Sequence, residues 1–531
     1  MAGNDVEKSL GFMVALEQKD LGAIRRILDS GVDVNSFKVE GMSLLGMAAR
    51  LGFEDGVQVL IAAGAKANND GNDETQDPLF QASARGHYGI VRMLVENGAR
   101  PQGVRTLLAA CQEGHTGVVE SLLGAGSKPE EPALLVAATF GHSSIVSFLL
   151  DAGAPADERA IHPAAASGHA AVVSRLIIAG VPLNRRRPTD GATPLHLACA
   201  GGHFDIVSLL AGGGGLDVGA AANGNVTALF LATQGGHLAV VDKLLALGAS
   251  PTVATEGGVL PVHAAAQGGH VDVLASLLRA DQSTVNTALP SGATPLLLVA
   301  QNGHLPSLGL LLEHGAETNK ARVDGATPLL AAAQAGFTAT AQRLVAAGAD
   351  IAAKSTAGHS VFHVAVRTNN VLLTRALLAA GVDKEERNAE HLTPLLVAAQ
   401  LGLTDVLHAL LLAGADHGST DGDGRNALQL AEAQAHHSAA ACLRTFMEYG
   451  KVMTDTPCSG ARVSATAVSA LWATAQLNAA AMMAAAMPPP GAVPPGMPPA
   501  MMPPNMGGGA PMSGGGPPMG MGMPPPNGNF Y

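Results

Sequence analysis

The chain has 531 residues and a formal net charge of −12, with 14% charged and 3% aromatic residues. This charge argues against direct binding of nucleic acid, because a grip on phosphates requires clustered Lys and Arg. With so few rings, the core must be built from many small aliphatic side chains, which favours closely packed helices.

Several features predict a chain that stays inside the cell. Its four cysteines, Cys111, Cys199, Cys442 and Cys458, form no CxxC pair and are expected to be reduced thiols. The opening MAGNDVEKSL carries acidic residues where a signal peptide requires a basic end followed by an apolar core. No apolar stretch is long enough to span a bilayer. We therefore expect neither secretion nor membrane insertion, and a cytoplasmic location with the nucleus as the alternative.

A glycine followed by histidine or an aromatic residue recurs along the chain. The second residue of this pair is His87, His115, His142, His169, His203, His237, His270, His304 and Phe337. From His203 onward each step is 33 or 34 residues, and the same phase continues through Asn370 and Leu403. Such a period is typical of a repeat architecture.

A second marker, similar to Thr-Pro-Leu-His, keeps the same phase. It occurs at 193–196, 227–230, 260–263, 294–297, 327–330, 360–363 and 393–396. Two independent markers in register exclude coincidence, so this part of the chain consists of repeated units.

Each unit is predicted to form two antiparallel helices. Thr193 can cap the first helix through its hydroxyl, and Pro194 fits the first helical position, where no amide donor is needed. Gly202 helps to end that helix, and an apolar stripe at 206–210 predicts the second. An extended loop then leads to the next Asp-Gly turn, of the kind seen at Asp190.

The segments 190–210 and 324–350, DGATPLHLACAGGHFDIVSLL and DGATPLLAAAQAGFTATAQRLVAAGAD, resemble ankyrin repeats. We count about fourteen copies in roughly the first 445 residues, from a degenerate unit at 21–35 to a last one at 426–443. The resemblance implies an all-α repeat solenoid of helix-turn-helix units joined by β-hairpin fingers.

The units between His87 and His169 are shorter, because the step falls to 27 or 28 residues while the helix pair is kept. We predict fingerless repeats over about residues 99–160. They would divide the array into an amino-terminal arm and a longer, regular arm from Arg185 to Asp416. Sequence drift in units that carry no ligand is the alternative.

The repeat pattern fails after Tyr449, so we predict a linker over 446–460 and an Ala-rich amphipathic helix over 461–487. This helix carries the only tryptophan, Trp472, on its apolar side. One interpretation is a cap that covers the core of the last repeat, and the other is a detachable helix presented to a partner.

The final segment, 488–531, is rich in Pro, Gly and Met and nearly free of charge, which predicts disorder. Its motif Pro494-Pro495-Gly496-Met497 resembles ligands of GYF-type domains and the proline-rich tails of some splicing proteins. A polyproline-reading domain is therefore one candidate partner of this tail, and a chance match of a short motif is the alternative.

Catalysis and metal binding find no support in the sequence. Most of the nineteen histidines occupy the two repeat markers, which predicts a structural role for them. Gly212 to Gly215 follow a helix instead of leading into one, so they do not form a phosphate loop. Arg185 to Arg187 are interpreted as a solvated loop, with an acidic partner or nuclear import as alternatives. We predict no enzyme, no cofactor and no metal.

The resemblance implies that protein partners bind a concave face made of finger tips and first helices. The candidate partner-binding residues at the finger positions are Arg187, Thr189, Asp190, Thr255, Glu256, Leu289, Arg322, Asp324, Ser355, Asn388 and Asp421. As a hypothesis, an acidic partner would use Arg187 and Arg322, whereas a basic partner would use Glu256 and Asp324.

Three functions remain open at this stage. The first is a scaffold or adaptor that holds one protein on the array and another on the tail. The second is a substrate receptor of a ubiquitin ligase, although no ligase-docking box follows the last repeat. The third is an RNA-processing or translational regulator that acts through protein partners.

Overall fold

The computed structural model describes residues 2–39, 41–68, 73–101, 103–356 and 358–454. Within these ranges the chain forms twenty-eight α-helices that pair in chain order. Their bounds are α1 (Ala2–Glu17), α2 (Leu21–Asp29), α3 (Leu44–Arg50), α4 (Glu54–Ala62), α5 (Pro78–Ala84), α6 (Tyr88–Glu96), α7 (Arg105–Glu113), α8 (Thr116–Gly124), α9 (Glu131–Thr139), α10 (Ser143–Asp151), α11 (Ile161–Ala166), α12 (Ala170–Ile178), α13 (Pro194–Ala200), α14 (Phe204–Gly212), α15 (Ala228–Gln234), α16 (Leu238–Ala246), α17 (Pro261–Gly268), α18 (Val271–Ala280), α19 (Pro295–Asn302), α20 (Leu305–Glu313), α21 (Pro328–Gln334), α22 (Thr338–Ala346), α23 (Val361–Arg367), α24 (Val371–Ala379), α25 (Pro394–Gln400), α26 (Thr404–Leu412), α27 (Ala427–Ala433) and α28 (His437–Thr454).

The helices stack in two layers. Each first helix contacts the first helix of the next pair, as α15 contacts α17, and each second helix does the same, as α16 contacts α18. Buried aliphatic side chains from both layers form one cluster that runs from Phe12 to Leu443. The predicted stack of helix pairs around a continuous aliphatic core is therefore present.

Hydroxyl caps begin several of the first helices, as the sequence predicts. The hydroxyls of Thr294, Thr327 and Thr393 accept hydrogen bonds from backbone N–H groups three residues later, at 3.3–3.4 Å. At Thr193 the hydroxyl lies 2.7 Å from Nδ1 of His196, and that nitrogen also accepts from the Thr193 N–H at 3.2 Å, which forms a capping box.

Short antiparallel pairs form several of the connections between repeats. Strand β1 (Lys38–Val39) pairs with β2 (Met42–Ser43), and β3 (Ala221–Ala222) pairs with β4 (Val226–Thr227). Single bridges join Lys354 to Ser360 and Thr420 to Asn426.

The connections differ in length along the array. Those at 97–104, 125–130 and 152–160 are shorter than those at 179–193 and 213–227. The described residues of the three short connections contain no β pairing.

The carboxy-terminal end of the array differs from the expected linker. Helix α28 continues to Thr454, so the predicted linker at 446–460 begins inside a helix. The repeat pattern is lost where stacking ends, but the helix itself continues. No Gly-Ala step, which ends the second helix of other repeats, is present at this point. The predictions for 461–487 and 488–531, including the motif at Pro494, lie outside the described residues.

Candidate protein-binding surface

Most of the predicted finger positions help to hold their own turns. Asp190 Oδ1 accepts a hydrogen bond from the Ala192 N–H, and Asp324 Oδ1 accepts one from the Ala326 N–H, both at 3.1 Å. These side-chain bonds satisfy backbone N–H groups that have no strand partner at the bend. Each aspartate therefore stabilises its own turn, and only the rest of its side chain is available to a partner.

Two of these turns carry an arginine paired with the aspartate. Arg187 binds both carboxylate oxygens of Asp190, and Arg322 binds both of Asp324 with Nε to Oδ1 at 2.9 Å. Hydrogen bonding to Arg322 lowers the pKa of Asp324 to about 2, and the corresponding bond to Arg187 also lowers the pKa of Asp190. The charges of each pair are largely neutralised within the turn. The arginine and the aspartate of a pair are therefore less available to an acidic or a basic partner than the sequence suggests.

Asn388 and Asp421 are enclosed in their turns, at 7% and 9% exposure. Asn388 Oδ1 accepts from the Glu390 and Leu392 N–H groups, both at 2.9 Å. Asp421 Oδ1 accepts from the Arg425 N–H at 2.8 Å, and its Oδ2 accepts from Arg425 Nε. The amide oxygen of Asn388 and the carboxylate of Asp421 are bound within their turns, and both side chains present little surface to a partner.

The remaining candidates fall into two groups. Thr255 and Ser355 are half-buried, and their hydroxyls accept from backbone N–H groups four residues later at 3.2 and 3.3 Å. Leu289 is half-buried against Ala293 and Leu297. Thr189 and Glu256 are exposed, and the structure records no ion pair for Glu256 within the described residues.

Backbone hydrogen bonds join the tips of neighbouring fingers. The N–H groups of Asn223, Glu256, Val323 and Thr356 donate to carbonyls of the preceding tip, at Asp190, Gly224, Ser291 and Asp324, over 2.8–3.0 Å. Gly325 has φ +77°, and a Cβ there would lie 2.9 Å from the Thr356 nitrogen. Glycine is thus required where one tip approaches the next, and the bonds join the tips in two runs, from 190 to 256 and from 291 to 356.

A groove of about 540 Å³ lies between these tips and α21 and α23, the first helices of two successive repeats. Its lining residues include Asp324 and Ser355 from the predicted set, together with Gln334, Arg367 and His359. Neither Gln334 nor Arg367 was predicted from the sequence. Both stand three residues before the second member of the Gly-His-like marker, and that regular position is the signal that would have found them.

The histidines of both markers connect neighbouring repeats, which confirms their structural role. In the Gly-His marker, Nε2 lies 3.0–3.2 Å from a carbonyl of the preceding repeat, in the pairs His142–Gln112, His169–Thr139, His203–Ala166, His237–Ala200, His270–Gln234 and His304–Gln267. His436, which follows Ala435 at the corresponding place of the last repeat, makes the same contact with the Gln400 carbonyl at 3.1 Å.

In the Thr-Pro-Leu-His marker, Nε2 instead reaches a carbonyl of the following finger. The distances are 3.1 Å from His196 to Val226, 2.9 Å from His263 to Thr287 and 3.1 Å from His363 to Leu392. Burial lowers the pKa of each of these three imidazoles, and the bond to the carbonyl opposes that shift only in part.

The arginine run predicted as a solvated loop is anchored. Arg185 pairs with Glu158 at 2.7 Å, Arg186 donates to the Ala221 carbonyl at 2.7 Å, and Arg187 pairs with Asp190. The contacts of Arg185 and Arg186 tie the connection at 179–193 to its neighbours.

The described ranges contain neither a side-chain cluster for a metal ion nor a membrane-spanning helix. No cluster of three or more His, Cys, Asp or Glu side chains there is arranged to hold a metal ion. No helix in the same ranges combines the length and the apolarity that crossing a bilayer requires. Cys111, Cys199 and Cys442 are free thiols, and burial raises the pKa of Cys111 to about 12.

Comparison with known proteins identifies the family. The protein-family model for ankyrin repeats in three copies matches residues 12–104, 107–187, 161–255 and 262–355, which together exceed half of the chain. The chain therefore belongs to the ankyrin-repeat family. Such an array is in general a scaffold for protein–protein interaction, the repeat is typically a non-enzymatic module, and no catalytic family is indicated.

Two individual proteins show the extent of the similarity. The chain is 31% identical over 106 residues to the ankyrin repeat and KH domain-containing protein mask of Drosophila melanogaster, which covers 18% of this chain and 3% of that protein. The chain thus matches only a small fraction of this curated relative's length. It is also similar to the crystal structure of the human ASB11 ankyrin repeat domain, with 27% identity, a TM-score of 0.38, and coverage of 42% of this chain and 99% of that chain.

Proposed function

We propose that this protein is a scaffold whose partner binds between the finger tips and the first helices, on the regular arm from Arg185 to Asp416. The observation that carries this proposal is the groove lined by Asp324, Ser355 and Arg367 beneath hydrogen-bonded finger tips. A concave site with a few convergent polar groups is the usual form of a binding site. The twenty-eight paired helices support an array of about fourteen repeats.

Charge reversal at an exposed finger position tests this surface. Glu256→Lys is expected to weaken a purified complex with a partner from cell extract, with an effect of about tenfold if the residue meets a basic group. Binding is measured by titration of the purified partner. Arg187 and Arg322 are less informative single sites, because each is already paired within its turn.

Asp272→Lys is the matched control for that experiment. Asp272 is exposed in the first turn of α18, the second helix of the same repeat, so it lies away from the finger. We expect this variant to bind as the parent chain does. Equal affinity for the parent and for Glu256→Lys, repeated at Thr189→Lys, would remove support from the finger tips.

The short connections support a second part of the proposal. Because the connections at 97–104, 125–130 and 152–160 are short, we propose that they interrupt the row of finger tips. The partner surface of the regular arm would then begin at 179–193, where Arg185 to Arg187 are anchored.

The tail is proposed as a second docking site on the strength of its sequence alone. Pro494-Pro495-Gly496-Met497 favours extended polyproline geometry, which aromatic-lined grooves recognise. The protein would then act as an adaptor, without enzymatic turnover and without direct contact to nucleic acid.

A truncation tests the tail and separates the remaining functions. Removal of residues 488–531 is expected to abolish capture of proteins with polyproline-reading domains while capture through the array persists. Quantitative pull-down of the full and truncated chains measures this. Loss of RNA-processing or translational proteins would favour a regulator of those processes, cullin-type partners would favour a ubiquitin-ligase receptor, and identical captures would contradict a docking role for the tail.

A further inference from the structure

One position of the repeat carries a polar side chain that the fold does not use. This position lies three residues before the second member of the Gly-His-like marker, at the end of each first helix. From α15 to α25 its residues are Gln234, Gln267, Gln301, Gln334, Arg367 and Gln400, and we call this set the amide column.

The main chain of the column is fixed, whereas its side chains are unpaired. The carbonyls of Gln234, Gln267 and Gln400 accept from the histidine of the next repeat at 3.1–3.2 Å. Five of the six side chains are exposed and that of Gln400 is half-buried. Within the described ranges none of the six side chains forms a hydrogen bond or ion pair. The column is therefore a rigidly placed row of free carboxamides with one guanidinium.

The column lies on the floor of the partner groove. Gln334 and Arg367, two consecutive members, line the groove together with Asp324 and Ser355 of the finger tips. Because the same helical position recurs in each repeat, the other members continue this row along the stacked first helices.

The chemistry of the row matches a polypeptide main chain. A glutamine side chain offers two donors and an acceptor, so one carboxamide can accept from the N–H and donate to the C=O of the same residue of an extended peptide. Packed helices are about 8–10 Å apart, and an extended chain in the polyproline II conformation rises about 3.1 Å per residue with three residues per turn. Every third residue of such an extended peptide faces the same side and would therefore meet one glutamine. An α-helical partner could not use the row, because its own backbone bonds are internal.

Arg367 is the one charged residue of the column, so it can fix the position of a bound peptide along the row. It stands where the neighbouring repeats carry glutamine. Among the described residues it forms no ion pair, whereas Arg322 is held by Asp324 and Lys354 by Glu386. His359, which lines the same groove, has a buried Nδ1 without a hydrogen-bond partner in the described part of the chain. A carboxylate would satisfy Arg367 through charge-assisted hydrogen bonds.

We propose that the amide column binds an unstructured segment of a partner protein in extended conformation, with an Asp or Glu side chain opposite Arg367. This inference rests on the proposed function, because it specifies what the groove holds. The glutamines supply affinity that is independent of sequence, and Arg367 selects the acidic residue.

Peptide selection on the intact protein tests the proposal. A display library of random peptides of about twelve residues, the length that spans four repeats at three residues each, is selected on the immobilised full chain. Enriched sequences are expected to share one acidic position. A selected peptide, labelled with a fluorophore, is then titrated against the parent and its variants.

Two variants separate the two roles. The double variant Gln301→Ala with Gln334→Ala is expected to bind about tenfold more weakly, from two lost hydrogen bonds. Arg367→Gln restores the residue usual in the column, so it should remove the preference for the acidic peptide over its amide counterpart, about tenfold in the parent. Gln342→Ala and Arg343→Gln, on the second helix α22, are the matched controls and should bind as the parent does.

The outcomes that overturn the proposal are distinct from failure of the proposed function. Absence of selected peptides, absence of an acidic consensus, or equal binding by the column variants and their α22 controls would each refute the amide column. The finger-tip site would still stand if Glu256→Lys weakens the native complex. If neither set of variants affects binding, the groove itself is refuted.

Discussion

Replacing Leu244 with alanine is expected to lower the free energy of unfolding by about 2–5 kcal/mol. Leu244 is fully buried in α16, a helix that contacts α14, α15 and α18. The loss combines the transfer free energy of the missing methyl groups with the cavity left between three helices that are each held by further repeats. Urea unfolding followed by far-UV circular dichroism measures it.

The position of Leu244 within the array makes the shape of the transition informative. Stability in a stacked array depends on each repeat and on its contacts with the next one, so weakening an internal repeat reduces coupling between the two sides. We expect the single transition to broaden or split in Leu244→Ala. Leu247→Ala, at the partly exposed end of the same helix, is the control and should cost less than about 1 kcal/mol. Equal losses for the two variants would contradict the packing of this layer.

The helix pairs could be predicted because their signals are local. A threonine before a proline, and a glycine where φ is positive, each report a requirement of one turn, and the period repeats that requirement along the chain. The end of α28 could not be placed in this way. The helix continues past residue 446 because no further repeat follows it. In the sequence, the absence of a further repeat appears only as the end of the periodic pattern.

The proposed binding surface is less predictable than the fold, for a related reason. Asp324 and Asn388 occupy equivalent finger turns, but only the structure shows that Asn388 is buried by its own bonds to Glu390 and Leu392. Conversely, the sequence marks Gln334 as an ordinary helix residue. Its place in the groove depends on the neighbouring finger tip, which only stacking brings near.

Acid should destabilise the array in a window set by three buried histidines. His196, His263 and His363 have pKa values lowered by burial, whereas the unfolded chain has histidines near pKa 6.5. Between the folded values and about pH 6.5, the unfolded state binds more protons, so stability is fully present above that pH and falls as the pH falls below it. The aspartates of the finger turns act in a separate window. Asp324, with a pKa of about 2, loses its contribution only below about pH 4.

Substitution of the three histidines by leucine tests whether they cause the loss of stability in acid. Leucine fits the same place, since Leu297, Leu330 and Leu396 occupy it in other repeats. At pH 8 the triple variant is expected to be less stable than the parent, by about 1 kcal/mol for each lost inter-repeat hydrogen bond. Between pH 7 and 5, however, its urea midpoint should change less than that of the parent, because neutral leucine cannot take up the protons that favour unfolding. A triple variant that loses stability as steeply as the parent over this range would show that the acid sensitivity lies elsewhere.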